Sequence, residues 1–136
     1  MSVDPLASAI RLASTALDNQ STRMRVVAEN LANAQSAGDA PGAAPYRRKT
    51  VTFAEVALGA TGPRVSIGRD GSELPMRHDP AHPAADANGM VRMPNVQPLV
   101  EAADMREASR AYEANVEVMR QARDLIHATI DLMRSR

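Results

Sequence analysis

The chain has 136 residues, room for one modest domain, and only 2% of them are aromatic (Tyr46, Phe53 and Tyr112), with no tryptophan. Its 44% hydrophobic content comes instead from Ala, Val, Leu, Ile and eight Met, small or flexible side chains that suit helix-on-helix packing and argue against a ring-lined enzyme core. The 16 basic and 16 acidic residues cancel and cysteine is absent, which removes the bulk electrostatic case for nucleic acid and excludes disulfides, thiolate metal sites and thiol catalysis.

The first element opens at Asp4-Pro5, an N-cap followed by proline at the first helical position, where its missing N–H costs nothing. Val3, Leu6, Ile10, Ala13, Leu17, Gln20, Met24, Val27 and Leu31 then follow alternating spacings of three and four, the period of a coiled-coil seam with one polar interruption at Gln20. A helix over 5–34 is roughly 45 Å long and needs a partner along its length. Asn33, Ser36 and Gly38 form the kind of cluster that stops it.

Glycine and proline mark where the period changes: all seven Gly lie between Gly38 and Gly89, and seven of nine Pro between Pro41 and Pro94. Within this stretch, Lys49–Val56, Arg64–Ile67 and Met90–Met93 are short alternating β-branched runs, bounded by Gly59, Gly62-Pro63, Asp70-Gly71, Asn88-Gly89 and Pro94. They predict a small hairpin or a three-stranded sheet. Residues 73–88, with Pro75, Pro80 and Pro83, read as an extended, tacked-down loop.

Several polar clusters in this region suggest chemistry. His78, His82 and Asp86 could be imagined around a metal, but Pro80 and Pro83 prevent the helix that would bring the two imidazoles together, so these side chains are expected to tie down backbone groups of a structural loop. Asp86-Ala-Asn88-Gly89 lacks the spacing of a calcium loop and reads as a turn. Tyr46-Arg47-Arg48-Lys49 carries the only basic run, too few charges for a nucleic-acid footprint, and is expected at an interface or a strand start. No nucleophile elbow, P-loop or framed carboxylate pair is present; no catalytic residue, metal or cofactor is expected.

The last element, Leu99–Arg134, has neither Gly nor Pro. Apolar doublets recur one heptad apart at Ala111-Tyr112, Val118-Met119, Leu125-Ile126 and Leu132-Met133, broadened by Ala108, Ala122 and Ile130. So wide a stripe predicts a helix that meets more than one neighbour. Glu113, Glu117, Arg120, Asp124 and Asp131 fall on the opposite face, available for charge pairing within the helix or with another subunit. Asn30 and Asn115, placed in or beside the apolar seams, read as residues that fix register at some cost in stability, whereas Asn33 suits capping. The fold expected is mainly α, with 1–36 and 95–136 as one helical domain and 37–94 as a small β-rich insert.

Stretches from both flanks and from the middle of the chain carry a family resemblance. Glu29-Asn30-Leu31-Ala32-Asn33-Ala34 resembles the N-I-A-N segment near the start of flagellar axial proteins, and Ala108-Ser109-Arg110-Ala111-Tyr112-Glu113-Ala114-Asn115 resembles their C-terminal R-x-Y-E-x-N segment. Pro45–Lys49, Asp79–Val91 and Met93–Val96 are similar to the rod proteins of the flagellar basal body, so that the likeness runs through the whole chain. The resemblance implies an antiparallel pair of terminal helices, loosely ordered before assembly, in a structural subunit of the proximal rod. It further implies a drive shaft crossing the periplasm around an export channel, required for motility and built from copies of itself and other rod proteins. Contacts with membrane-ring and hook-basal-body junction proteins, and export by the flagellar type III apparatus without a cleaved signal peptide, are implied as well. Neither nucleic acid nor direct membrane insertion is expected, since no run of about 18 apolar residues is present.

On this reading the residues assigned to assembly are Leu17, Met24, Asn30, Leu31 and Asn33 on the first helix, Tyr46 and Arg47 after it, and Arg110, Tyr112, Asn115, Met119 and Ile126 on the last. The alternative is a helical adaptor that displays the β insert to a partner.

Overall fold

The computed structural model describes residues 4–54 and 64–135. The expectations placed on Val3, on the Glu55-Val56 end of the first strand and on the breakers Gly59 and Gly62-Pro63 lie outside the described residues.

Two long helices, α1 (Asp4–Ala32) and α2 (Pro98–Arg134), pack along each other. Their direction is antiparallel, since Asn30 near the end of α1 meets Glu101 at the start of α2, while Ile10 lies beside Met119. The three-four spacing of α1 does what it predicts: Leu6, Ile10, Ala13, Leu17, Gln20, Met24, Val27 and Leu31 are all buried or half-buried. α2 answers with its own seam, Glu101, Met105, Ala108, Tyr112, Asn115, Met119, Ala122 and Ile126, again spaced by four and three and again buried or half-buried.

At 29 and 37 residues the helices are roughly 44 and 55 Å long. The last turns of α2, from His127 onward, are exposed. Proline at its first position and Glu101 in its first turn suit its N-terminus, and Arg134 suits its last turn. α1 stops as expected: the Asn33 side-chain amide donates to the Glu29 carbonyl at 2.9 Å, and the Ser36 hydroxyl to Asn33 Oδ1 at 3.1 Å.

Between the helices the described residues form two separate two-stranded antiparallel pairs rather than a three-stranded sheet. β1 (Lys49–Ala54) pairs antiparallel with β2 (Arg64–Arg69). β3 (Met76–His78) pairs with β4 (Met90–Arg92). The run at Met90 thus finds its partner in a segment that reads as loop, because three residues of mixed polarity carry no periodic signal. The rest of that loop is tied as its side chains suggest: His82 Nδ1 accepts from the Ala84 N–H at 3.1 Å, and Asp86 Oδ1 accepts from Asn88 and Met90 at 2.8 and 2.9 Å. Gly89 turns the chain at φ 72°, with Pro80 so close that a Cβ there would sit 2.9 Å from its ring.

Among the described residues the buried hydrophobic ones are Ala13, Val26, Val27, Val91, Val96, Ala108 and Ala122. Each contributes little apolar area, so the monomer core among the described residues is thin.

Candidate functional site: a buried polar junction and an uncovered helix face

Where the helix pair meets the insert, the chain builds a polar junction from five segments. Asn30 stands at its centre, 1% exposed, with every hydrogen-bonding position of its amide in use. Its Nδ2 donates to the Lys49 carbonyl at 2.9 Å and to Glu101 Oε2 at 3.0 Å, and its Oδ1 accepts from the Lys49 N–H at 2.9 Å and the Tyr46 hydroxyl at 2.8 Å. One side chain of α1 thereby holds the start of β1 and the start of α2 together.

Glu101 is wholly buried, and its other oxygen accepts from Arg48 Nε. Arg48 also lies 3.5 Å from Asp70 and 3.8 Å from Asp104, and Arg23 bridges from α1 to Asp104 and Glu107 on α2 at 3.1 and 3.2 Å. A buried carboxylate needs this company, because an unpaired charge in a low-dielectric site costs several kcal/mol; its place in the first turn of α2 adds the favourable end of the helix dipole. Burial pulls the Arg48 pKa down, but the hydrogen bond and charge of Glu101, then Asp70 and Asp104, hold it above its ordinary value.

The remaining strands of the junction mix neutral and charged contacts. Asn95 accepts from the Arg48 N–H at 2.8 Å and donates to the Ser72 hydroxyl at 2.9 Å, while Arg47 donates to the Asp70 and Ser72 carbonyls at 3.0 and 2.9 Å. Lys49 pairs with Glu29. Burial, then the carboxylates of Glu29 and Glu101, push the Tyr46 phenol up. The Ser72 backbone N–H and hydroxyl, assisted by Arg48, hold the Asp70 carboxyl down. Every group here is used to fix another in place. Among the described residues no group of three or more His, Asp or Glu is placed to hold a metal, and no helix is long and apolar enough to cross a membrane.

Of the residues assigned to assembly, Asn30, Tyr46 and Arg47 therefore lie inside the chain's own junction. Asn33 caps α1. Leu17, Met24, Leu31, Tyr112, Met119 and Ile126 are half-buried in the seam between the helices. Asn115 shares that seam, and its amide donates to the Ala111 carbonyl of its own helix at 2.8 Å. Arg110 is on the surface. Glu101 and Asn95 complete the junction without standing out in the sequence, where an acid in the first turn of a helix downstream of a basic run is the one local signal for Glu101.

The two central doublets of α2 divide between a covered and an uncovered side. In the doublets at 118–119 and 125–126 the second members, Met119 and Ile126, are half-buried toward α1, as is Tyr112, while Val118 is 46% exposed and Leu125 57%; Ala111 is half-buried as well, and beyond the reach of α1 both Leu132 and Met133 are exposed, at 71% and 66%. Successive residues are separated by about 100° around a helix, so α2 carries two apolar rows in different directions and α1 covers one. On the polar side Glu117 is paired with Arg120 at 3.0 Å and Gln121 at 3.4 Å.

The sequence is similar to known flagellar proteins along most of its length. Residues 87–132 match the family model described as flagellar basal body rod FlgEFG protein C-terminal. The chain is 53% identical to the flagellar basal-body rod protein FlgC of Agrobacterium fabrum, over 98% of this chain and 99% of that one. It is 41% identical to the FlgC of Salmonella typhimurium, over 89% and 92%, and 34% identical to the FlgC of Borreliella burgdorferi, over 94% and 97%.

Proposed function

The chain belongs to the FlgC family of flagellar basal-body rod proteins and is a structural subunit of that rod, and from this premise we propose that it assembles by burying the uncovered row of α2 against neighbouring subunits. The observation that carries the proposal is the exposed series Val118, Leu125 and Leu132, one heptad apart on a 37-residue helix whose other row is already occupied. An apolar row of that length on a free surface marks an interaction site.

The thin Ala and Val core has the same explanation: burial missing from the monomer is supplied by the polymer. Arg110, Tyr112, Met119 and Ile126, which keep part of their surface outside the chain's own packing, contribute beside that row. Asn30 and its junction set the direction in which the insert leaves the helix pair. In this reading the subunit joins other basal-body components in the proximal rod, carries torque across the periplasm, surrounds the export channel and arrives through the flagellar type III apparatus without a cleaved signal peptide. Its work is mechanical, and nothing in the family indicates catalysis.

Complementation tests this. In cells lacking their own copy, the wild-type chain should restore swimming and appear in isolated basal bodies, and Leu125→Asp with Leu132→Asp should express, fold and fail to do either. Motile cells in the complete absence of the chain would favour the adaptor reading and end this one.

A further inference from the structure

α2 carries a second feature on its other flank. Ile10 of α1 and Val116, Met119, Arg120 and Arg123 of α2 line an open groove of about 330 Å³ with an apolar floor and an arginine rim. The apolar row on the opposite flank has the complementary character: each of Val118, Leu125 and Leu132 is preceded by an acid, Glu117, Asp124 and Asp131. Asp124, Asp131 and Arg123 have no ion-pair partner among the described residues. The Glu117–Arg120 pair is solvent-exposed on both sides, so exchanging it for another partner costs little.

The directions of the two surfaces matter as much as their chemistry. Val118 and Leu125 lie one residue before positions that face α1, with Leu132 one heptad further on, and Val116, Arg120 and Arg123 lie one residue after such positions. At about 100° per residue the two surfaces diverge by roughly 160° around α2. They cannot meet within one chain, and they cannot satisfy each other in a closed two-fold pair. Row to groove is a heterologous contact, which repeats openly from copy to copy.

Resting on the rod-subunit reading, we propose that the acid-flanked row Val118–Leu125–Leu132 of one copy docks in the arginine-rimmed groove of a second copy of this chain. The fit is apolar ridge to apolar floor, with Asp124 and Asp131 meeting Arg120 and Arg123. Like charges across such a contact oppose it and opposite charges restore it.

Charge exchange between full-length chains tests this. Purified wild-type chain should self-associate with concentration in sedimentation velocity. Arg123→Glu and Asp124→Arg, both at exposed positions, should keep the wild-type circular dichroism and each weaken self-association on the order of tenfold or more. Mixed one to one, the two variants should associate again, because Glu at 123 then faces Arg at 124 and Arg123 faces Asp124. Wild-type chain that stays monomeric at every concentration, single variants that associate as well as wild type, or a mixture no better than its components would each overturn the proposal. The rod-subunit reading fails separately, if the wild-type chain is absent from basal bodies. A chain that enters basal bodies yet never self-associates leaves that reading standing and gives the row to a different rod protein.

Discussion

The side-chain amide of Asn30 lies 3.0 Å from the carboxylate of Glu101, and through that hydrogen bond the end of the first helix, the start of the last helix and the first strand share one buried point. Asn30→Leu would leave the Lys49 N–H and carbonyl, the Tyr46 hydroxyl and one Glu101 oxygen without their partner. Each unmet buried group costs about 1–3 kcal/mol, partly relieved by water near Lys49, so the variant should lose about 2–4 kcal/mol in chemical denaturation. Asn30→Asp should do worse at neutral pH than in mild acid, because it sets a second carboxylate against Glu101.

Arg48 and Glu101 should behave as a coupled pair. Arg48→Met leaves the wholly buried Glu101 charged without its cation and should cost about 3 kcal/mol, whereas Glu101→Leu leaves Arg48 still beside Asp70 and Asp104 and should cost less. The double variant should cost less than the sum by more than about 1 kcal/mol. Additive losses in a double-mutant cycle would show that the pair does not act as a unit.

Stability should fall at both ends of the pH scale for opposite reasons. The Tyr46 phenol is raised above its ordinary 10.0 by burial and by Glu29 and Glu101, so the unfolded chain ionises first. Its contribution is whole below pH 10 and disappears as pH rises through the folded value. Asp70 is lowered from 3.8 by hydrogen bonds from Ser72; its contribution is whole above pH 4 and disappears as pH falls through the folded value. Tyr46→Phe should flatten the alkaline limb and leave the acid limb intact, measured as urea midpoints across pH.

Gln20 offers a gain. It interrupts the apolar seam of α1, and its Oε1 is buried without a hydrogen-bond partner among the described residues. Gln20→Met keeps the volume and removes that unmet acceptor, so thermal unfolding should show a stabilisation of about 1 kcal/mol.

The helices were legible because their three-four spacing reports which face is covered, and covered faces are what folding selects; the stop at Asn33 and the turn at Asn88-Gly89 were legible because amide capping and a positive φ demand particular residues. What periodicity does not report is the identity of the partner. Met90–Arg92 reads as a strand, but nothing local says that it pairs with Met76–His78 rather than with the first hairpin. Glu101 reads as a first-turn acid, and its burial depends on Arg48 and Asn30, 53 and 71 residues away in the chain. Asn30, Tyr46 and Arg47 meet the same limit: a polar residue beside a seam looks alike whether its partner lies in the same chain or in the next, and here the chain supplies partners of its own. The doublets of α2 did announce two rows, and the structure shows which of them is left open.

The absence of native cysteine makes the central claim directly measurable. With Leu132→Cys as the single thiol, maleimide labelling should be fast in the free chain and at least about tenfold slower in isolated basal bodies, where a neighbouring subunit covers the row, whereas Asp39→Cys on an exposed loop should label comparably in both. Equal labelling of position 132 in the free chain and in the assembled rod would contradict the account.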